Sequence, residues 1–191
     1  MTTHIALLRS VSPGGQKPIE TETFVALLTD LGLPNARAVS GAGNLVFDSP
    51  DRTGAELQAF LETEIQSRLG LRTDVYVRSA QAWAAIISAN PFVEFAESDP
   101  GLLMTLFLKD PPDKKIIGAL RTKLSEGQQL RVESRQFYVT YPTGLGGSKF
   151  GNSTVEKALA TRITSRSWTV VQAIGADLVG ESADFAPASS Q

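Results

Sequence analysis

Two short loops repeat one chemistry: Gly14-Gly15-Gln16-Lys17 and Gly146-Gly147-Ser148-Lys149. Each follows a strand-like apolar run and precedes a helical pattern. A Gly-Gly pair lets the backbone turn with its N–H groups exposed, and the lysine adds positive charge beside them. That combination suits phosphate or carboxylate. Neither loop is a nucleotide-binding fingerprint. From Gly144 onward, the spacing and the Ser-Lys order depart from Walker A, and Lys149 stands where G-x-G-x-x-G requires glycine.

Other residues could join such a site. Arg9, just past the first apolar strand, could grip an anion with two N–H groups or pair with a neighbouring carboxylate. Asn44, after Gly41-Ala42-Gly43, could orient a ligand or serve its turn. Asn152 adds a polar group beside Lys149. Arg166 lies close to Arg162 and Trp168, whose indole could stack on a planar ligand or sit in the core. The expected ligand-binding set is therefore Arg9, Gly14, Gly15, Lys17, Asn44, Gly146, Gly147, Ser148, Lys149, Asn152, Arg166 and Trp168.

Composition removes several chemistries. The chain has no cysteine and one histidine, His4, so disulfides, thiol nucleophiles and His-rich metal sites are excluded. Glu62 and Glu64 lie two apart and cannot share a helix face, and no acid/base pair stands out. Ser148 is a candidate nucleophile without an adjacent base, so an enzyme acting on an anionic molecule is the alternative to a binding protein. The residues name no cofactor and no protein partner.

Charge is nearly balanced, 18 Lys+Arg against 20 Asp+Glu, which argues against nucleic acid. The alternating aromatics of Phe137 to Tyr141 lack the RNP pattern of RNA-binding sheets. No apolar stretch approaches the roughly 20 residues of a membrane span, and a cytoplasmic location is expected.

The elements that must position these residues follow from periodicity. His4 to Leu8 reads as a buried strand. Phe24, Leu27, Leu28 and Leu31 fall on one helix face that stops at Gly32. Ala36 to Ser40 and Leu45 to Phe47 read as strands. Thr53 to Glu56 has the pattern of a capping box ahead of a helix ending at Gly70. A strand at Thr73 to Val77 and a helix capped by Ser79 complete the half, with Asn90-Pro91 closing that helix.

After a turn-rich stretch from Glu94 to Gly101, Leu102 to Leu108 reads as a strand, and a helix starts at Asp110-Pro111-Pro112. A hairpin turns at Ser134-Arg135. Helices are expected near Thr154 to Ala160 and Ser167 to Val179. The class is α+β: a tandem pair of ferredoxin-like (split β-α-β) halves, the second with its last strand replaced by a helix. The halves are 1–92 and 93–180, with a frayed tail at 181–191.

Ile5-Ala6-Leu7-Leu8-Arg9, the Gly14-Gly15 loop, Gly43-Asn44-Leu45-Val46-Phe47, Asn90-Pro91-Phe92, Ser148-Lys149 and Thr164-Ser165-Arg166-Ser167-Trp168 occur in order. Together they resemble a widespread bacterial family, domain-of-unknown-function family 1697, from about His4 to Leu178. The resemblance implies two similar α+β halves and no particular activity. Its members carry glycine and asparagine where this chain has Ser10 and Ser12. They carry Gln-Ser-Gly-Asn where it has Gly41-Ala42-Gly43-Asn44, so two polar side chains are absent from that loop.

Overall fold

The computed structural model describes residues 1–146 and 148–184. The first half runs β1 (Thr2–Leu8), α1 (Thr21–Asp30), β2 (Arg37–Ala38), β3 (Asn44–Ser49), α2 (Gly54–Leu69) and β4 (Val75–Ser79). Next come α3 (Ala80–Ser88), α4 (Val93–Ser98) and a 3-10 turn at Pro100–Leu102. The second half runs β5 (Leu103–Phe107), α5 (Lys114–Arg121), β6 (Leu130–Glu133), β7 (Gln136–Thr140), α6 (Asn152–Leu159) and β8 (Thr164–Ser167), followed by α7 (Trp168–Asp184).

Each half folds its strands into one antiparallel sheet, ordered β2-β3-β1-β4 and β6-β7-β5-β8. The β1 run is apolar on both faces because both are covered. Ala6 and Leu8 meet α1 and α2, whereas Ile5 and Leu7 face the second half. A central layer of Trp83, Phe107, Tyr138, Trp168 and Ile174 lies between the sheets, with α3 and α7 in it. The Trp83 and Phe107 rings stack at 5.4 Å, and Tyr138 Oη donates to the Ile86 carbonyl at 2.7 Å. On the far side, α5 and α6 cover the second sheet through Leu120 and Val155.

The two sheets share a register. One cross-strand rung runs Arg37-Val46-Ile5-Arg78 in the first sheet and Arg131-Tyr138-Thr105-Arg166 in the second. The next rung runs Ala38-Leu45-Ala6-Val77 and Val132-Phe137-Leu106-Ser165.

Several expectations are corrected. The last strand of the second half is not replaced by a helix. Thr164–Ser167 forms β8 on the edge of β5, with α7 added after it. Its Thr-Ser-Arg-Ser sequence lacks the apolar alternation that marks a strand. The expected tail is helical through Asp184, while residues 185–191 lie outside the described residues.

Local signals were also redirected. Thr53 makes no cap hydrogen bond, and Glu56 lies 3.7 Å from Arg52 instead. The helix after Pro111-Pro112 begins only at Lys114, because Asp113 caps it by accepting from the Lys115 N–H at 2.8 Å. The turn-rich stretch contains α4. Ser79 caps α3 as expected, accepting from the Ala82 N–H at 3.1 Å.

Candidate functional site

The twelve expected site residues fall in several places. Gly14 and Gly15 take φ values of 22° and 78° in an exposed turn, closed by the Gln16 N–H donating to the Pro13 carbonyl at 2.8 Å. Lys17 is exposed nearby. Arg9 turns to Glu156 on α6, donating from Nε and Nη2 to its two oxygens at 3.1 Å each. Glu156 also accepts the Ile163 N–H at 3.0 Å, so the pair ties the end of β1 to α6. Trp168 is in the central layer, edge-on to Tyr138 at 6.3 Å.

Asn44 and Arg166 meet each other. The Asn44 amide donates to the Ser40 carbonyl at 3.1 Å, and its oxygen accepts from Arg166 Nε. Arg166 Nη1 donates to Thr164 Oγ1 and the Ser165 carbonyl, each at 2.8 Å. Its Nη2 donates to the Leu8 and Gly43 carbonyls at 2.9 and 3.1 Å. Every N–H of this guanidinium is used within the protein. Burial pushes its pKa down to about 10.

Arg78, on the matching rung, does the same in reverse. Its Nη2 donates to the Leu108 and Arg135 carbonyls at 2.7 and 3.1 Å, and its Nη1 to Val77 at 2.9 Å. Burial, with the Arg135 charge behind it, lowers its pKa to about 9. Each half therefore sends an edge-strand arginine to the end of the other half's central strand. Periodicity alone did not single out Arg78. The signal was an arginine inside an apolar strand, in an Arg-Ser pair repeated at Arg166-Ser167.

Of the remaining candidates, Ser148 and Asn152 line a cavity of about 270 Å³ together with Met104, Leu106, Tyr141, Leu145, Phe150, Gly151 and Ser165. Gly146 and Lys149 belong to the same loop, and Gly147 lies outside the described residues. Ser165 forms part of its wall. On the matching rung of the first half, Val77 fills the corresponding place against Leu45 and Ala6. The Ser165 hydroxyl accepts from the Asn152 amide at 3.1 Å.

The cavity lies at the start of α6, where Gly151 is the N-cap and supplies no side-chain acceptor to the first turn. Thr154 Oγ1 holds the loop by donating to the Lys149 carbonyl at 2.8 Å. Leu145, 48% exposed, is on the rim. Tyr141 Oη donates to the Phe150 carbonyl at 3.0 Å, and burial pushes its pKa up to about 12. Tyr141 is therefore neutral at ordinary pH. Sequence reasoning missed Ser165, Tyr141 and Met104 as wall residues, since only the paired register exposes the Val77–Ser165 difference.

Ser148 is a turn residue in this geometry. Its Oγ donates to the Phe150 carbonyl at 3.2 Å and accepts from the Phe150 N–H at 3.1 Å and the Gln128 amide at 3.0 Å. No base is among those partners. No group of three or more His, Cys, Asp or Glu residues suited to a metal ion occurs among the described residues. No described helix is long and apolar enough to cross a membrane. Phe137 and Tyr138 face opposite cores of a doubly covered sheet, so they offer no open stacking platform.

A sequence model of the family described as "Protein of unknown function (DUF1697)" matches residues 1–138. The Ser148-Lys149 and Thr164-to-Trp168 motifs lie beyond that match. No curated protein matches the chain. Among solved structures, the conserved bacterial protein SP0830 from Streptococcus pneumoniae is similar, with a TM-score of 0.68 and 20% identity. The match covers 93% of this chain and 98% of that one, and it shows the fold alone.

Proposed function

The chain belongs to the DUF1697 family, and from that premise we propose that it binds a small molecule with a phosphate or carboxylate head in the cavity at the start of α6. The observation that carries this reading is the cavity at Ser165. The first half packs valine on the matching rung, whereas the second leaves about 270 Å³ beside a helix N-terminus. Apolar walls from Met104, Leu106 and Phe150 suit the ligand's body. The amides of the first turn of α6 and the exposed Lys149 suit its charged head.

Arg9, Asn44, Arg166 and Trp168 are not part of this site. Their polar groups are paired elsewhere, or their rings are packed. The Gly14-Gly15 loop is a turn in this reading. The repeated element order, strand order and rungs support a finer view of the fold as two duplicated ferredoxin-like units.

Thermal unfolding against inorganic phosphate, nucleotides and small carboxylates tests the binding. A ligand at a hundredfold excess over its Kd adds about 2.7 kcal/mol. The stabilisation should saturate in the natural chain, shrink in Lys149→Ala and vanish in Ser165→Val. No response across the panel, or an undiminished response in Ser165→Val, contradicts the assignment.

A further inference from the structure

A second opening lies on the other face of the second sheet, along the line where α3 and α7 meet. Cavities of about 380 and 360 Å³ adjoin there, sharing Ile87 and Ser88 in their walls. The helices approach closely because Gly175 of α7 faces Ile87, where a Cβ would overlap the Ile87 Cδ1. One end of the furrow is apolar, walled by Ala80, Trp83, Ala84 and Ile87. The other end presents Trp168, the Asn90 and Gln172 amides, and Glu97.

Glu97 is the only ionisable residue in either wall, and it makes no ion pair among the described residues. An unpaired, exposed carboxylate beside amide oxygens has the chemistry that receives an ammonium group. We propose that this furrow binds an amphipathic cation, with its ammonium head at Glu97 and the Gln172 amide and its alkyl chain along Ala84 and Ile87 above Trp83. The cavity sizes are those of small-molecule pockets, on the order of 300–1,000 Å³.

A second copy of the chain fits this surface poorly. A two-fold interface would place the same patch on both sides, and neither wall contains a cation to meet Glu97. The carboxylate would then be desolvated without a partner. This site is independent of the cavity at α6, from which it differs in both charge and lining.

Both tryptophans of the chain line the furrow, so intrinsic fluorescence reports on it directly. The probes are octylamine, octanol and octanoate at neutral pH, below any concentration that changes the far-UV circular dichroism. Octylamine should give a saturable change, about tenfold weaker in Glu97→Gln because a charge-assisted contact is lost. The change should disappear in Ala84→Phe, a substitution on the exposed side of α3 that fills the apolar end. Octanoate binding as tightly as octylamine, an unaltered Glu97→Gln titration, or no saturable change would overturn the proposal. It also fails if the protein self-associates through this face, giving fluorescence that depends on its own concentration. A response seen only after removal of residues 185–191 would assign the furrow to the chain's own end.

Discussion

Arg166 spends its five N–H groups on neutral oxygens, three of them from the other half of the molecule. Removing the guanidinium leaves the Leu8 and Gly43 carbonyls and the Asn44 side chain without this donor. Arg166→Ala should therefore cost about 2–4 kcal/mol in urea unfolding. A loss below about 1 kcal/mol would be ordinary surface behaviour and would contradict the clasp. The sequence made the arginine visible, but its three partners in the other half lie more than a hundred residues away, so its role as a clasp was not.

His4 gives a residue-scale prediction with a sign. It is buried, stacks on Phe47 at 6.3 Å, and donates from Nδ1 to the Thr2 carbonyl at 2.8 Å. Burial holds its folded pKa below the ordinary 6.5. The unfolded chain then binds the extra proton first, so stability falls as pH drops through 6.5. Between pH 7.5 and 5.5, the natural chain should lose more stability than His4→Gln in denaturant unfolding. Equal losses would show that His4 does not oppose its own protonation.

At the scale of elements, α6 starts without a side-chain cap, and space is open around Gly151. Its φ of -148° is extended backbone that any residue adopts. Gly151→Asp should stabilise the protein by a few tenths of a kcal/mol. The new carboxylate would occupy the amides assigned to the ligand head, so anion-induced stabilisation should vanish in the same variant. Retained binding in a normally folded Gly151→Asp protein would place the head elsewhere.

Elements also show why some of the fold was legible and some was not. The α1 stripe of Phe24, Leu27 and Leu28 ends at Gly32, and β1 carries the unbroken apolar run Ile5 to Leu8, so local sequence specified both. In contrast, β8 is Thr-Ser-Arg-Ser, which becomes a strand because β5 offers an open edge and its arginine finds distant carbonyls. Tertiary pairing outweighs propensity there. The Gly-Gly-x-Lys repeat was readable as turn chemistry. Which of its copies borders a cavity depended on the Val77–Ser165 difference across the two sheets.

At the scale of the whole molecule, Arg78 and Arg166 cross between halves, and the Trp83–Phe107 stack and the Tyr138–Ile86 bond share one central layer. The halves should therefore unfold together. Tryptophan fluorescence and far-UV circular dichroism should give coincident urea transitions in the natural chain. They should separate in Arg78→Met/Arg166→Met, and separate transitions in the natural chain would contradict the shared core.

The most direct measurement is an amide proton–nitrogen NMR titration with the ligand panel. The binding account predicts saturable shifts concentrated at Gly151, Asn152, Ser153 and Ser165, with Gly14 and Gly15 unmoved. Shifts centred on Gly14, Gly15 and Lys17, or none anywhere, would contradict an anion site at the start of α6.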